Sequence, residues 1–442
     1  MEALVVDLTH GGFTIALALK KNFKKVFAWD IYNTLDQKKK KILKEKGIKV
    51  VNKIPKSDNL KIIAPIHCPL NLKIDYTHHE IVKLLLSKNE KLAKTPIIEI
   101  TGVKGKTTVA WMLKEILKPK KTLILSSLGI FLSTEKEDKI LKKNISITPA
   151  SIIEAVKLAN GLDYQACIFE SSLGGTGLAN VGILTNIVED YSIQGGRGRA
   201  SMAKAQIFKS KITCCEYTAY KKYYTSFKNV NTFSIKENSA SLYPTNIDYG
   251  LEKTSLLIHV NGLKTVTSKI YNTEFPVETF APGPHYLLNV LATVSGALTL
   301  NIDIKAIQMG LRNFKGVRGR SSWRRVGEKI IIEEINPGIN SEAIKYTLKM
   351  VENFEDPFII ILGGDYGVTC EEIDEDKTKS ILEDFKGEII LTGELGKNIQ
   401  KKTDKKIPYI KSREKALQYA LSTKKKYIAF IYRSEYSKLQ ER

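Results

Sequence analysis

At 442 residues the chain is too long for one ordinary hydrophobic core, so two or three domains are expected. With 43% hydrophobic and 26% charged residues it reads as a soluble globular protein; no apolar run approaches membrane-spanning length, and the opening MEALVVDLTHGG, acidic and then strand-like, is not expected to act as a signal peptide. The net charge of +22 comes mostly from lysine runs such as residues 38–41, 118–121 and 424–426, which lack the interleaved aromatics of a nucleic-acid binder and read as solvated surface, with an anionic substrate as a secondary cause.

Residues 1 to about 94 alternate strands (4–8, 25–30, 62–66) with helices (13–20, 35–47, 80–86), the pattern of a small α/β unit with a mainly parallel sheet. The turn after the first strand, Thr9-His10-Gly11-Gly12, is not G-x-G-x-x-G, and Asp30 ends the second strand. A ligand crevice at the strand C-termini is expected, but not a nicotinamide site. Tyr32-Asn33-Thr34, His67-Cys68-Pro69 and Thr77-His78-His79-Glu80 add polar turns, so that His10, His67, His78 and His79 account for four of the six histidines. Two readings stay open for them: solvated loop residues and helix caps, with Thr77 as N-cap and Glu80 at N3, or substrate contacts. No pair has zinc-like spacing backed by further ligands, which argues against a metal site.

The stretch PIIEITGVKGKTTVAWMLKEIL, residues 96–117, organises the middle of the chain. Residues 97–100 form a short β-branched apolar run, read as a buried parallel strand, and residues 109–117 carry the apolar face of a helix. Between them lie Gly102-Val103-Lys104-Gly105 and Lys106-Thr107-Thr108. Strand, Gly-containing turn, Lys-Thr and helix together cradle a nucleoside triphosphate: backbone N–H groups face the phosphates, the lysine neutralises the terminal ones and the threonine holds Mg²⁺. Ile100 stands where the strict Walker pattern has its first glycine.

Further strands are expected at 122–126, 165–170 and 181–187, the last two delivering Glu170-Ser171-Ser172 and Thr185-Asn186. A carboxylate at a strand tip beside a phosphate loop is what a Mg²⁺ site needs. Two glycine-rich segments come next, Gly174-Gly175-Thr176-Gly177 and Gly195-Gly196-Arg197-Gly198-Arg199. Residues 217–278 read as β-like, and residues 281–289 open an apolar helix. From about Val317 strands (330–334, 358–362, 388–391, 427–432) again alternate with helices (341–353, 378–385, 414–422). The five cysteines, Cys68, Cys167, Cys214, Cys215 and Cys370, are scattered without a C-x-x-C pair and predict free thiols in a reducing cytoplasm.

T-G-x-x-G-K-T-T after a strand, then E-S-S, T-N-I-x-x-D, an Ala-Lys-x-x-Ile-Phe helix, G-x-H-x-x-x-N and G-x-x-G-R together resemble the Mur ligases and their folylpolyglutamate synthetase relatives. The resemblance covers Thr101 to about Arg320 and implies a three-domain α/β architecture: an N-terminal Rossmann-like substrate-recognition domain (1–94), a central ATP-binding P-loop domain with a mainly parallel sheet (95–316) and a C-terminal Rossmann-like domain (317–442). It implies an ATP-dependent, ADP-forming carboxylate ligase using Mg²⁺. Position by position, Gly102, Lys104, Gly105, Lys106, Thr107 and Thr108 would bind the phosphates, with Lys106 on the β/γ-phosphates. Thr107 and Glu170 would hold Mg²⁺, and Lys204 would serve, carbamylated, as a second metal ligand. Asn186 would lie near the reacting γ-phosphate, His285 and Asn289 on the nucleotide-pocket helix, and Arg320 on the phosphates. Asp365, in a Leu-Gly-Gly-Asp turn, matches more weakly. Asp190-Tyr191 stands where members usually carry Asp-His with a metal-ligating histidine, and His285-Tyr286 where they carry His-Asn.

Asp7-Leu8-Thr9-His10-Gly11-Gly12, Asp30-Ile31-Tyr32-Asn33-Thr34 and the two later histidine turns resemble the archaeal branch called coenzyme F(430) synthetase. That likeness implies a nickel tetrapyrrole acid, activated as an acyl phosphate and closed into a carbocyclic ring by carbon attack, with His10, Asp30, His67, His78 and His79 toward the acid. Arg197 and Arg199 suit its many carboxylates; the competing reading for them is an exposed mobile loop. The alternatives are a Mur-type ligase joining an amino acid to a carboxylate and a nucleic-acid-associated P-loop NTPase. No nucleic-acid or membrane partner is expected, and the oligomeric state is open.

Overall fold

The computed structural model describes residues 1–317, 321–352, 354, 357–368 and 373–434, with the side chain of Ser321 excepted. Arg320 and Cys370 therefore lie outside the described residues. The fold is mixed α/β, with three large sheets among the described residues.

The first sheet has five parallel strands in the order Lys49–Val51, Lys25–Trp29, Glu2–Val6, Leu60–Ala64, Tyr76–Thr77. Glu2–Val6 forms because its apolar residues are buried on both faces, as a central parallel strand requires. The strand order reverses between Glu2–Val6 and Leu60–Ala64, and such a switch point opens a crevice at the strand C-termini. Helix His78–Leu86 starts on a capping box: Thr77 Oγ1 accepts from Glu80 N at 3.2 Å, and Glu80 Oε2 accepts from Thr77 N at 2.9 Å.

Ile97–Thr101, buried throughout, runs through the middle of the second sheet, which has eleven strands. On one side it pairs in parallel with Ala166–Glu170 and on the other with Val181–Leu184. Thr122–Ser126, Ile212–Glu216 and Val230–Phe233 extend the parallel core. An antiparallel hairpin, Gly129–Ser133 with Asp138–Lys142, adds one edge, and Leu242–Asp248, Thr254–Lys264 and Ile270–Thr279 add the other. Residues 217–224, expected to be β-like, are instead helical, Tyr217–Ala219 running on into Tyr220–Tyr224. Glu216 accepts from Thr218 N at 2.8 Å and Ala219 N at 2.7 Å, so a capped turn overrides the aromatic β-propensity.

Residues 1–248, 255–278 and 286–313 form one compact unit, and residues 249–254, 279–285 and 314–442 another. Within the first, one apolar core is shared by the first two sheets: Val5, Ile15, Leu19 and Ile81 belong to the same cluster as Leu123, Ile152 and Phe169. The second unit carries the third sheet, whose five parallel strands run in the order Lys329–Ile335, Tyr427–Arg433, Phe358–Gly364, Glu388–Thr392, Tyr409–Ile410. The sequence pattern does not reveal its helix Gly393–Lys402, which lies between two of these strands. At the end of Phe358–Gly364, Asp365 accepts from Tyr432 Oη at 3.1 Å and Ser434 Oγ at 3.3 Å. Cys68, Cys167, Cys214 and Cys215 are buried free thiols. No helix among the described residues is long and apolar enough to cross a membrane.

Candidate active site

The phosphate loop begins where Ile97–Thr101 ends. Gly102 has φ 142° and Gly105 φ 84°. A Cβ on Gly102 would stand 2.0 Å from Thr185 Oγ1, and one on Gly105 1.9 Å from Asn289 Oδ1, so both positions exclude side chains sterically. Helix Lys106–Ile116 starts at once, which places its N-terminal turn at the mouth of the loop. Lys106 Nζ donates to Gly102 O at 3.0 Å and Val103 O at 3.3 Å, a folded-back pose across the loop. Thr108, on the same first turn, is buried.

Neighbouring strand ends frame this loop. Thr107 Oγ1 lies 3.0 and 3.1 Å from the two Glu170 oxygens and 3.0 Å from Ser127 Oγ, while Ser127 N donates to Glu170 Oε2 at 3.0 Å. Glu170 is buried, and beside it Ser171 Oγ is buried with no hydrogen-bond partner among the described residues. A hydroxyl, a buried carboxylate and an orphaned polar atom at the mouth of a glycine cradle fit a hard cation bound with a triphosphate. On the other side Asn186 exchanges two bonds with Lys104, Oδ1 accepting from its N–H and Nδ2 donating to its carbonyl, each at 3.1 Å. The Asn186 amide thus shapes the loop backbone.

Lys204 is 1% exposed. Its Nζ donates to Ser172 O and lies 5.7 Å from the Tyr191 ring centroid. Burial first, then the Lys106 charge, pushes its pKa well below the lysine range, against the pull of Asp190. Asp190 accepts from Ser201 N at 2.7 Å and Ser201 Oγ at 2.8 Å, fixing the start of helix Ala200–Lys204.

From Asn186 the chain runs past Asp190 and Tyr191 to the first sheet. Gln194 Nε2 donates to Ile66 O at 2.5 Å, and Arg197 Nη2 to Pro69 O at 2.5 Å and Cys68 O at 3.5 Å. Arg199 is spent on its own hairpin, donating to Asp190 O and Ser192 Oγ, both at 3.3 Å. Gln194 and Arg197 thus tie this segment to the turn at residues 66–69.

Three side chains converge in that crevice. Asp7 is fully buried, and its Oδ2 lies 2.7 Å from His10 Nδ1 and 3.7 Å from His67 Nε2. Burial alone would raise the Asp7 carboxyl, but the His10 hydrogen bond and charge outweigh it and hold the pKa below the usual range. The same bond raises His10, whereas burial lowers His67. Gly11, at φ 97°, presses against the next element: a Cβ there would stand 2.6 Å from Ala150 Cβ and 2.8 Å from Thr148 Oγ1. Ile147 O, just before, accepts from Ser172 N at 3.0 Å. The histidine turn therefore connects, contact by contact, to the residues around Lys204.

The Mur ligase middle domain family matches residues 100–297, and the family described as Coenzyme F430 synthetase CfbE, C-terminal domain, matches residues 323–435. Coenzyme F(430) synthetase of Methanocaldococcus jannaschii is 30% identical over 418 residues, covering 90% of this chain and 91% of that relative. The chain belongs to the coenzyme F(430) synthetase family of Mur ligases. It is an ATP-dependent ligase. Coenzyme F(430) synthetase of Methanosarcina acetivorans is 29% identical over 431 residues, 88% of this chain and 89% of that one. The MurF ligase of Thermotoga maritima in complex with ADP shares the fold, with TM-score 0.61 at 15% identity over 96% of this chain and 95% of that one.

Not every sequence-selected residue of this ligase reaches the crevice. His78 and His79 are 1% and 3% exposed. His78 Nε2 bonds Val6 O at 3.2 Å, and His79 Nδ1 bonds Gln206 Nε2 at 3.0 Å, while His79 Nε2 is buried without a hydrogen-bond partner among the described residues. Burial pushes them down to about 4 and about 3. The expectation that they face substrate is corrected: they belong to the interior shared by the first two sheets. Asp30 turns inward on its own loop, accepting from Leu35 N at 2.8 Å. Asn289 packs on Gly105; His285, one turn earlier on the same helix, belongs to the second unit, where burial pushes it down to about 4. Spacing argued against a metal-ligating cluster, yet Asp7, His10 and His67 place ligand atoms within 4.8 Å of one another.

Sequence reasoning passed over Ser127 and the buried Glu99. Glu99 accepts from Thr176 N at 2.8 Å and from the Thr176 hydroxyl, anchoring the Gly174–Gly177 turn. The available signal for it was a carboxylate in the middle of an otherwise apolar strand.

Proposed function

We propose that this ligase phosphorylates a propionate of a nickel tetrapyrrole acid with ATP, and that a carbon of the same molecule then displaces phosphate to close a carbocyclic ring. What carries the reading is a histidine-bearing turn tied to the segment that follows Asn186, in a chain aligned nearly end to end with relatives named coenzyme F(430) synthetase. The three working domains would be residues 1–94, choosing the acid, 95–316, binding ATP, and 317–442.

In this reading Lys106 leaves its pose on Gly102 and Val103 to neutralise the β/γ-phosphates, and the loop N–H groups stabilise charge as the carboxylate oxygen attacks the γ-phosphorus and the bond to ADP breaks. Thr107 and Glu170 would hold Mg²⁺, which supplies charge neutralisation on the triphosphate. The nucleophilic carbon then adds to the acyl phosphate; a C–C bond forms, inorganic phosphate leaves, and the carbon gives up its proton. Burial disfavours the charged form of Lys204, and the neutral amine is the form that adds to carbon dioxide, so carbamylation would convert it into a carboxylate ligand. Arg320 would contact phosphate.

The test is to incubate the enzyme with ATP, Mg²⁺ and candidate acids and to trap with hydroxylamine. Hydroxamate formed only from the nickel tetrapyrrole acid, with a cyclised product when hydroxylamine is omitted, is the expected result. Hydroxamate from a peptide or sugar-peptide acid, or product that requires an added amino acid, favours amide ligation instead. ATP turnover stimulated only by RNA or DNA refutes both.

A further inference from the structure

The crevice holds one group that the proposed reaction does not use. Asp7 is in the left-handed region, φ 66° and ψ 84°, where a non-glycine residue is strained. That conformation sends Oδ1 to Thr9 N and His10 N, each at 3.1 Å, and leaves Oδ2 to the imidazoles. An ionised carboxylate can only accept, so His10 Nδ1 carries the proton and the tautomer is fixed. Nε2, on the opposite side of the ring, then presents its lone pair. Among the described residues nothing is hydrogen-bonded to it, and the His10 side chain is 42% exposed. His67 and Tyr32 hold the ring edge-on, at centroid distances of 4.7 and 5.5 Å and interplanar angles of 85° and 83°.

A carboxylate that grips one imidazole nitrogen and turns the other outward is how proteins orient a metal-ligating histidine. A free ion taking Asp7 Oδ2, His10 Nδ1 and His67 Nε2 together would have to break the 2.7 Å bond that fixes His10. A metal arriving inside a planar ligand needs only one nitrogen from the protein. We propose that His10 Nε2 is the axial ligand to the metal at the centre of a macrocyclic acid, with Asp7 as its positioning residue. This rests on the reading that the acid is a metal tetrapyrrole. One dative Nε2–metal bond forms, any solvent on that face leaves, and no redox change is involved. Arg197, tied to the carbonyls of Cys68 and Pro69, brings a cation to the same crevice for the peripheral carboxylates.

The experiment titrates the full-length protein with the nickel(II) and metal-free forms of a water-soluble tetrapropionate macrocycle, and separately with nickel(II) chloride, following affinity and the absorption spectrum. Adenine-nucleotide affinity measured alongside reports that each variant is folded. The nickel form is expected to bind at least about tenfold more tightly than the metal-free form, as ligation by an oriented imidazole warrants, with a band shift from the added nitrogen ligand. His10→Ala removes both the preference and the shift, and added imidazole restores the shift. Asp7→Asn weakens the preference about tenfold. Equal binding of the two forms without a shift, or a shift that survives His10→Ala, overturns the proposal. So does nickel chloride binding that requires Asp7, His10 and His67 together, which assigns a free-ion site instead. If neither macrocycle binds, axial ligation fails, and the hydroxylamine assay shows independently whether the proposed reaction fails with it.

Discussion

In the candidate phosphate loop the chain shapes its site from backbone: glycines at 102 and 105 leave space that a Cβ would fill. In the switch-point crevice it makes its site from side chains, with Asp7 and His10 from the first turn, Tyr32 from the second and His67 from a third. The two are built to different tolerances. A backbone cradle fails when anything larger than hydrogen is added to it, while a side-chain cluster fails when one member is removed. A second contrast lies within the histidines themselves. His10 bonds the Asp7 carboxylate and His67 lies 3.7 Å from it, whereas His78 and His79, directly after the last strand of the same sheet, are interior packing.

The largest expected effect tests the first site alone. Lys106→Ala should lower ADP formation by about 10²–10³-fold with any acid, the scale for removing a group that stabilises transition-state charge, with circular dichroism unchanged. Retained turnover would break the assignment of the loop.

Acid stability sharpens the contrast among the histidines. His78 and His79 titrate at about 4 and about 3 when folded, against about 6.5 unfolded. The unfolded chain therefore binds more protons across that interval, so stability falls as pH drops below about 6.5, by up to roughly 1.4 kcal/mol per pH unit for each histidine. Urea unfolding between pH 7 and pH 4 checks this, and His79→Gln should flatten the slope by about half. A slope left unchanged by His79→Gln would break the contrast.

Gly105→Ala comes next. The αL backbone costs an alanine roughly 1–2 kcal/mol, and its Cβ must displace Asn289. ATP affinity should fall about tenfold or more by calorimetry, with macrocycle binding unaffected; a coupled loss would show that the two sites are not separable.

Arg197→Ala should have the smallest effect. Its guanidinium is partly exposed and bonded to carbonyls, so loss of one carboxylate contact should weaken binding of a polycarboxylate by about 1 kcal/mol, more at low salt than at high. A salt-independent loss would mark Arg197 as part of the loop's structure.

The candidate phosphate loop is legible in the chain because its chemistry lies in one contiguous run. Strand, glycine turn, Lys-Thr and helix are neighbours in the chain, and their geometry follows from local sterics and helix polarity. The strands ending in Glu170 and near Asn186 were legible for the same reason, as apolar runs closed by a polar residue. The surroundings of the histidines, by contrast, depend on long-range folding. Asp7, His10 and His67 meet because parallel pairing of Glu2–Val6 with Leu60–Ala64 brings two strand ends together across more than fifty residues of chain, and no spacing rule reports that. His78 and His79 look like turn residues in the sequence, yet the helix they begin packs into a core shared with the second sheet, and burial removes them from solvent. The aromatic segment at 217–224 has strand-like composition but is helical because the Glu216 carboxylate caps two N–H groups. In each case a contact made on folding outweighs a local preference of a few tenths to about 1 kcal/mol.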